Sequence, residues 1–213
     1  MTSIAPPAIP RSLFLFAIFY GGMVCIAGVL GNKQVDLGPL AVEAGIFAFL
    51  MLVITSSAVA ELFDRATANR LVLMGFVPLV FSILLSVWVL ALPAAEDMAP
   101  DRLAAFETMM GATPRIWIAG LIAYGTSQIL NVTIFSRMRP ETGRLLWLRS
   151  GVASVVSQVI DTLLFITIAF AGVFPIGQLL LGQMLAKVIL SVVMVPPLIY
   201  LLVAIGRRLD GRN

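Results

Sequence analysis

Six long apolar stretches dominate this sequence, and short polar segments separate them. A helix needs about 20 mainly apolar residues to cross the hydrocarbon core of a bilayer. Only 12% of the residues are charged, whereas a soluble domain carries about 25%. The sequence therefore predicts an all-α integral membrane protein, a bundle of six transmembrane helices in a single transmembrane domain, residues 1–213. The predicted spans are 13–30, 40–60, 71–92, 116–135, 147–173 and 178–205.

Positive charge is shared unevenly between the two sets of connecting segments. Loops rich in Lys and Arg stay on the cytoplasmic side of a membrane. The distribution therefore predicts that both the N- and the C-terminus are cytoplasmic. The cations on the predicted cytoplasmic side are Arg11, Arg65, Arg70, Arg137, Arg139, Arg144, Arg149, Arg207, Arg208 and Arg212; those on the other side are Lys33, Arg102 and Arg115.

Several classes of chemistry are excluded because the chain has no histidine and a single cysteine, Cys25. Catalytic zinc sites, Ser-His-Asp triads and Cys-His pairs depend on histidine or on several cysteines. The sequence also contains no phosphate-cradling loop. We therefore expect no enzyme, no metal and no cofactor, and the expected partners are a small molecule and membrane lipid, with no nucleic acid.

The fifth span carries a polar stripe that ends in a carboxylate. Ionisable groups inside a membrane are costly, so they are functional candidates by default. The alternative is a small-residue stripe for close helix packing, with Asp161 merely paired to a neighbour. The stripe consists of Ser150, Ser154, Ser157 and Asp161, with Gln158 beside it.

Two polar residues of the sixth span, Gln183 and Lys187, share a face at a spacing of four. At about 1.5 Å per residue, Lys187 and Asp161 both lie about 14 Å below the outer ends of their helices. An Asp161–Lys187 ion pair is therefore feasible. It is either a structural salt bridge or a pair that also holds a ligand.

The fourth span offers Tyr124, Gln128 and Asn131 on one face. Gln128 lies at the predicted depth of Gln158 on the fifth span. These amides either contribute to a polar site or bond across helices for packing alone.

Charged and amide residues near the ends of the spans are candidates for a gate or for coupling. Glu61 and Arg65 can pair at i and i+4, which predicts either an interfacial turn tied by salt bridges or a cytoplasmic gate. The full set of gate candidates is Glu61, Arg65, Asn69, Arg149 and Asn32.

Three stretches of the sequence form a recognisable set of motifs. They are Asn32-Lys33 with Val59-Ala60-Glu61-Leu62-Phe63 and Ala68-Asn69-Arg70, then Ala123-Tyr124 with Ser127-Gln128-Ile129-Leu130-Asn131-Val132, and finally Arg149 and Ser154 with Ser157-Gln158-Val159-Ile160-Asp161-Thr162, Phe165, Gln183 and Lys187. In these motifs the chain resembles the queuosine precursor transporter family, also called the vitamin uptake transporter family. It departs from the family pattern at Ser57, where an acidic residue is frequent, at Asp64, where glycine is usual, and at Glu43, where proline is common.

The resemblance implies import of 7-cyano-7-deazaguanine and 7-aminomethyl-7-deazaguanine across the bacterial cytoplasmic (inner) membrane, for salvage into tRNA queuosine. One carboxylate can accept both donors of a guanine-like edge, and Asp161 is the first choice. Amides can satisfy the remaining ring atoms, and Phe165 can stack on the base. The substrate-binding residues expected on this basis are Asp161, Gln158, Gln128, Asn131, Gln183, Lys187, Ser157 and Phe165.

Alternating access around a mid-membrane site between the fourth, fifth and sixth spans is the expected mechanism, with a homodimer as a plausible assembly. Two alternatives remain open. One is a substrate-capture subunit that needs an ATPase partner. The other is a carrier for another small vitamin or nucleobase-like compound.

Overall fold

Seven helices and one β-hairpin make up residues 9–38, 40–111, 114–138, 145–172 and 176–211, which are the residues that this computed structural model describes. Six of the helices, all except α4, are long and apolar enough to cross a membrane, so the predicted six-span helical architecture is confirmed. The elements are α1 (Arg11–Leu30), β1 (Gln34–Leu37), β2 (Leu40–Glu43), α2 (Gly45–Leu62), α3 (Arg65–Ala91), α4 (Pro100–Met110), α5 (Pro114–Arg137), α6 (Leu146–Phe170) and α7 (Gly177–Leu209).

Some residues that the sequence-based predictions used lie outside the part of the chain that the structure describes. Arg139, Arg144 and Arg212 of the orientation argument, and Val173 at the predicted end of the fifth span, lie outside the described residues. The cytoplasmic placement of both termini and the single domain over residues 1–213 stay predictions.

The predicted start of the second span at residue 40 is wrong, because Leu40–Glu43 is a strand. It pairs antiparallel with Gln34–Leu37, and Glu43 stands opposite Gln34. Gly38 adopts a positive φ of 63° in the turn, a conformation that glycine takes without the steric cost other residues meet. The helix that follows starts at Gly45. We call the end of the bundle that carries this hairpin the hairpin end.

The third span starts earlier than predicted, at Arg65 instead of Leu71. Asp64 is the N-cap residue, and its carboxylate accepts a hydrogen bond from the Thr67 amide at 2.6 Å. Such a cap satisfies an amide that has no partner within the helix. The backbone N–H also lowers the pKa of the Asp64 carboxyl below its usual value.

The segment between the third and fourth spans contains an additional short helix, α4, that the hydropathy pattern did not indicate. Pro100 occupies the start of α4, where its fixed φ suits a helix and its missing N–H costs nothing. None of its residues is buried. The Asn32 side chain joins it to α1 by donating to the Met109 carbonyl at 3.0 Å.

Helix α2 is the central helix of the bundle and packs against α1, α3, α5 and α7. In its most apolar 18-residue window 72% of the residues are buried, compared with 11% for α3. A helix that is apolar on all sides belongs in the interior, whereas α3 presents large apolar side chains such as Phe81, Leu84 and Trp88 on the surface. Around α2, helix α6 packs between α5 and α7.

A glycine allows α3 to approach two tyrosines closely. A Cβ atom at Gly75 would lie 2.5 Å from the Tyr124 hydroxyl and 2.7 Å from a ring carbon of Tyr20. The Tyr124 hydroxyl donates to that of Tyr20 at 2.9 Å. The close packing of α1, α3 and α5 at this level therefore requires a residue without a side chain at position 75.

Candidate functional site

A small cavity lies within the bundle at the hairpin end. Its volume is about 40 Å³, whereas pockets that hold drug-sized ligands measure about 300–1,000 Å³. The site is therefore closed in this conformation, and a larger ligand needs the surrounding elements to separate. The cavity is lined by Glu43, Ile46, Phe49, Gly120, Ala123, Asp161, Phe165, Gln183 and Lys187.

An ion pair between α6 and α7 forms one wall of the cavity. The Lys187 ammonium donates to Oδ2 of Asp161 at 2.7 Å, which confirms that the two side chains meet at matching depth. Oδ1 of the same carboxylate accepts from the Ser127 hydroxyl at 3.1 Å. Both members of the pair are buried, so each charge depends on the other in place of water.

A second carboxylate, Glu43, faces the same cavity from the end of β2. Glu43 is one of the departures from the family pattern, and it was not among the predicted site residues. Burial raises the pKa of Glu43, the Lys187 charge lowers it, and the Asp161 charge raises it. The sequence signal was an acidic residue next to an apolar stretch. The direction of its side chain depends on strand β2, which was predicted as the start of the second span.

A layer of amides and serines lies next to the cavity, toward the middle of the bundle. The Ser56 hydroxyl donates to the Gln128 side-chain oxygen at 3.3 Å, and the Asn131 amide donates to the Ser57 hydroxyl at 2.9 Å. Both serines belong to α2, and the predicted site residues did not include them. Their hydroxyls give a partner to the side-chain oxygen of Gln128 and to the side-chain nitrogen of Asn131.

Six buried side-chain polar atoms have no hydrogen-bond partner among the described residues. A buried polar group left without a partner costs about 1–3 kcal/mol, and such a group calls for a functional explanation or an unseen partner. The six atoms are Asn69 Oδ1, Asn131 Oδ1, Ser136 Oγ, Ser154 Oγ, Gln158 Oε1 and Ser191 Oγ.

The structure divides the predicted substrate-binding residues into two groups. Asp161, Gln183, Lys187 and Phe165 line the cavity together. The others are buried outside its lining: Gln128 and Asn131 on α5, Ser157 and Gln158 on α6. The hydroxyl of Ser157 donates to the backbone carbonyl of Ser154 at 2.9 Å, so it is engaged within its own helix.

A second buried ion pair lies at the opposite end of the bundle, where α2 ends and α6 begins. Arg149 Nη1 contacts Glu61 Oε2 at 2.9 Å. Arg149 also donates from Nε to the Phe135 carbonyl at 3.1 Å, and its guanidinium lies 4.1 Å from the centre of the Phe135 ring. Although Arg149 is only 1% exposed, its charge is well satisfied.

The Glu61–Arg65 pair expected from helical spacing is wrong. Helix α2 ends at Leu62 and α3 begins at Arg65, so the two side chains do not share a helix. Arg65 donates instead to the Thr133 hydroxyl at 3.0 Å, and Glu61 pairs with Arg149.

The two amide gate candidates lie in different parts of the bundle. Asn69 is in α3, shortly after Glu61 in the sequence, and its side-chain oxygen is buried with no partner among the described residues. Asn32 lies at the hairpin end, where it donates to the carbonyls of Gly28 and Val29 as well as to Met109. Its bonds tie α1 to α4 and place it away from Glu61.

Six helices able to cross a membrane surround a closed cavity that two carboxylates and one ammonium line, an arrangement compatible with a membrane transporter, whose substrate site lies between helices within the bilayer. A family model described as "Putative vitamin uptake transporter" matches residues 43–202. The chain belongs to this vitamin uptake transporter family, and it is a multi-pass bacterial membrane transporter, not an enzyme.

Two curated relatives support the assignment. The chain is 31% identical over 185 residues to the "Probable queuosine precursor transporter" of Bacillus subtilis (strain 168), with 84% of this chain and 80% of the relative covered. It is 26% identical over 161 residues to the "Queuosine precursor transporter" of Escherichia coli (strain K12), with coverage of 75% and 69%. No solved structure matches the chain.

Proposed function

We propose that this transporter imports queuosine precursors, the bases 7-cyano-7-deazaguanine and 7-aminomethyl-7-deazaguanine. The names of both curated relatives support this substrate class. The observation that carries the proposal is the Asp161 carboxylate, which is buried at a cavity that also presents an amide and an aromatic ring.

The cavity residues suit the chemistry of a guanine-like base. Its ring N–H and exocyclic amine are adjacent donors, and the two oxygens of Asp161 can accept both. Gln183 supplies an amide for the carbonyl and ring nitrogens, and Phe165 supplies a face for stacking. Because a polar site binds poorly to analogues that leave its groups unpaired, this arrangement selects against bases without the two donors.

Lys187 is the counter-ion of Asp161 in this conformation. When a base occupies the carboxylate, Lys187 is free to bind the base carbonyl as a donor. The pair thus provides an acceptor and a donor in adjacent positions, which matches the donor and acceptor groups along one edge of guanine.

Alternating access is the proposed mechanism. The hairpin separates from α7 to admit a base from the outer side, and the Glu61–Arg149 pair, with Arg65 and Asn69 nearby, opens on the cytoplasmic side. The unpartnered atoms of Gln158, Asn131, Ser154 and Ser191 then become ligands along the inward path. These deeper polar atoms, which have no partner in the closed conformation, thus bind the substrate during transport.

The proposal also covers the lipid contacts, the orientation and the assembly of the transporter. The apolar side chains exposed on α3 suit contact with lipid tails, and both termini lie in the cytoplasm. A homodimer stays a prediction.

The test uses cells that cannot synthesise deazaguanines and that express this chain at a verified level in the membrane. With a low concentration of either base supplied, we expect queuosine in tRNA to be restored. Asp161→Asn should abolish the rescue, whereas Asp36→Asn, which removes an exposed carboxylate from β1, should not. Absence of rescue by the unmodified protein would contradict the proposed substrate.

Reconstitution of the purified chain in vesicles distinguishes a self-sufficient transporter from a substrate-capture subunit. Vesicles that contain only the purified chain should accumulate labelled base until the internal and external concentrations are equal. Binding without uptake in these vesicles would favour a subunit that requires an ATPase partner.

A further inference from the structure

We propose that Glu43 binds the protonated amine of 7-aminomethyl-7-deazaguanine and makes the transporter prefer this base to its neutral 7-cyano counterpart. The inference rests on the proposed function and adds a specificity-determining residue to it.

The charges around the cavity do not balance. Two carboxylates, Glu43 and Asp161, and one ammonium, Lys187, line it. Lys187 contacts Asp161 at 2.7 Å, and among the side chains that the structure describes no cation lies in ion-pair contact with Glu43. A cationic ligand is therefore the complement that this cavity lacks.

Glu43 is placed where solvent compensates its charge poorly. The side chain is half-buried, and desolvation by its surroundings raises its pKa. Desolvation disfavours the charged form of a carboxyl group, and an opposite charge nearby favours it. An ammonium brought by the substrate reverses the penalty, and a neutral nitrile does not.

The two bases differ in the substituent at position 7, which is the group that Glu43 would contact. A primary alkylamine resembles the lysine side chain, whose usual pKa is about 10.4, so it is protonated at neutral pH. It offers three N–H donors and a positive charge, whereas a nitrile offers an acceptor only. A carboxylate attracts the first group and repels the lone pair of the second.

The positions of the two carboxylates allow one ligand to use both. Asp161 extends from α6 and Glu43 from the end of β2, so they belong to different walls of the same cavity. In a 7-substituted deazaguanine the donor edge and the substituent lie on different rings. A base whose donor edge is held by Asp161 can therefore present its substituent to the hairpin wall.

The experiment measures uptake of both labelled bases in vesicles made with the full chain. We expect the unmodified protein to prefer the aminomethyl base. In Glu43→Gln uptake of the aminomethyl base should fall about tenfold more than uptake of the cyano base, which corresponds to about 1.4 kcal/mol. Glu43→Asp should retain part of the preference, and Asp36→Asn, on the same hairpin, should leave it intact.

A second measurement needs no variant, so a folding defect cannot obscure the result. Aminomethyl and 7-methyl-7-deazaguanine are compared as competitors of cyano-base binding to the unmodified protein, and the charged base should compete more strongly. Equal competition, or an equal loss of both uptake rates in Glu43→Gln, would overturn the role of Glu43 and leave the proposed function standing. Failure of the unmodified protein to take up either base would overturn both.

Discussion

The two buried ion pairs of this bundle, Asp161–Lys187 and Glu61–Arg149, have similar geometry but different surroundings. Their contact distances are 2.7 and 2.9 Å. Asp161–Lys187 borders a cavity with a further carboxylate, Glu43. Arg149, in contrast, is packed on Phe135 and bonded to its backbone carbonyl.

The difference in surroundings indicates different roles: Asp161–Lys187 serves substrate binding, and Glu61–Arg149 serves closure of the bundle. A charge pair beside a cavity can exchange partners with a ligand, since space for the ligand is adjacent to it. A pair whose remaining donors are already satisfied can only hold its helices together or release them. We therefore expect loss of the first pair to abolish substrate binding and loss of the second to alter conformation alone.

The largest effect should follow from Lys187→Met. Removal of one partner of a buried ion pair costs about 3–5 kcal/mol, so the melting temperature in detergent should drop and base uptake should be lost. The double variant Asp161→Asn/Lys187→Met should recover most of the stability without recovering uptake. Uptake restored together with stability would mean that the pair is only structural.

A smaller loss is expected for Glu61→Gln, because Arg149 keeps its contacts with Phe135. A hydrogen bond to a charged group contributes about 1.5–3 kcal/mol, and the melting temperature should fall accordingly. The affinity for the base, measured by thermal shift with added ligand, should stay unchanged. If the affinity falls as far as in Lys187→Met, the distinction between the two pairs is wrong.

Gly75→Ala tests a tightly packed region that neither pair touches. The added Cβ would collide with Tyr124 and Tyr20, and overpacking of this kind costs about 1–3 kcal/mol. Gly22→Ala is the matched control, since its Cβ would have nothing within 4 Å. We expect the melting temperature to fall only in Gly75→Ala, with the affinity for the base retained. Loss of affinity in Gly75→Ala would show that destabilisation far from the cavity is enough to reduce binding.

The smallest effect should come from Asp64→Ala, at the turn close to Glu61. Loss of an N-cap costs about 1 kcal/mol. Because the Thr67 amide lowers the pKa of folded Asp64, the cap is fully effective above the ordinary Asp pKa of about 3.9. Its contribution disappears as the pH falls through the lowered value. Melting curves of the two proteins should therefore converge in acid and differ at neutral pH.

Hydropathy predicted the six spans because lipid requires long apolar helices. Counting residues from the short connection between the last two spans also showed that an Asp161–Lys187 ion pair was feasible in depth, and the structure contains this pair. The β-hairpin was missed because an apolar run that precedes a helix cannot be distinguished from its first turn by periodicity alone.

The partner of Glu61 could not be predicted for a different reason. Spacing along the chain suggested Arg65, but the pairing depends on where α6 packs against α2. Ser56 and Ser57 were missed in the same way, because a small residue in a central helix acquires a polar role only through the amide that faces it. The depth of a polar side chain can thus be counted along the sequence, whereas its partner on another helix depends on how the helices pack.

The internal counter-ion of Asp161 has a consequence for the transport cycle. Lys187 neutralises this carboxylate from within the bundle, so Asp161 needs no substrate to compensate its charge as the protein reorients in the bilayer. The neutral cyano base leaves the charge of Glu43 the same in the loaded and the unloaded protein, so with this base return of the empty carrier should be no slower than return of the loaded one. We therefore expect net import of the cyano base down a gradient, and cyano base placed on the far side should give little acceleration by exchange.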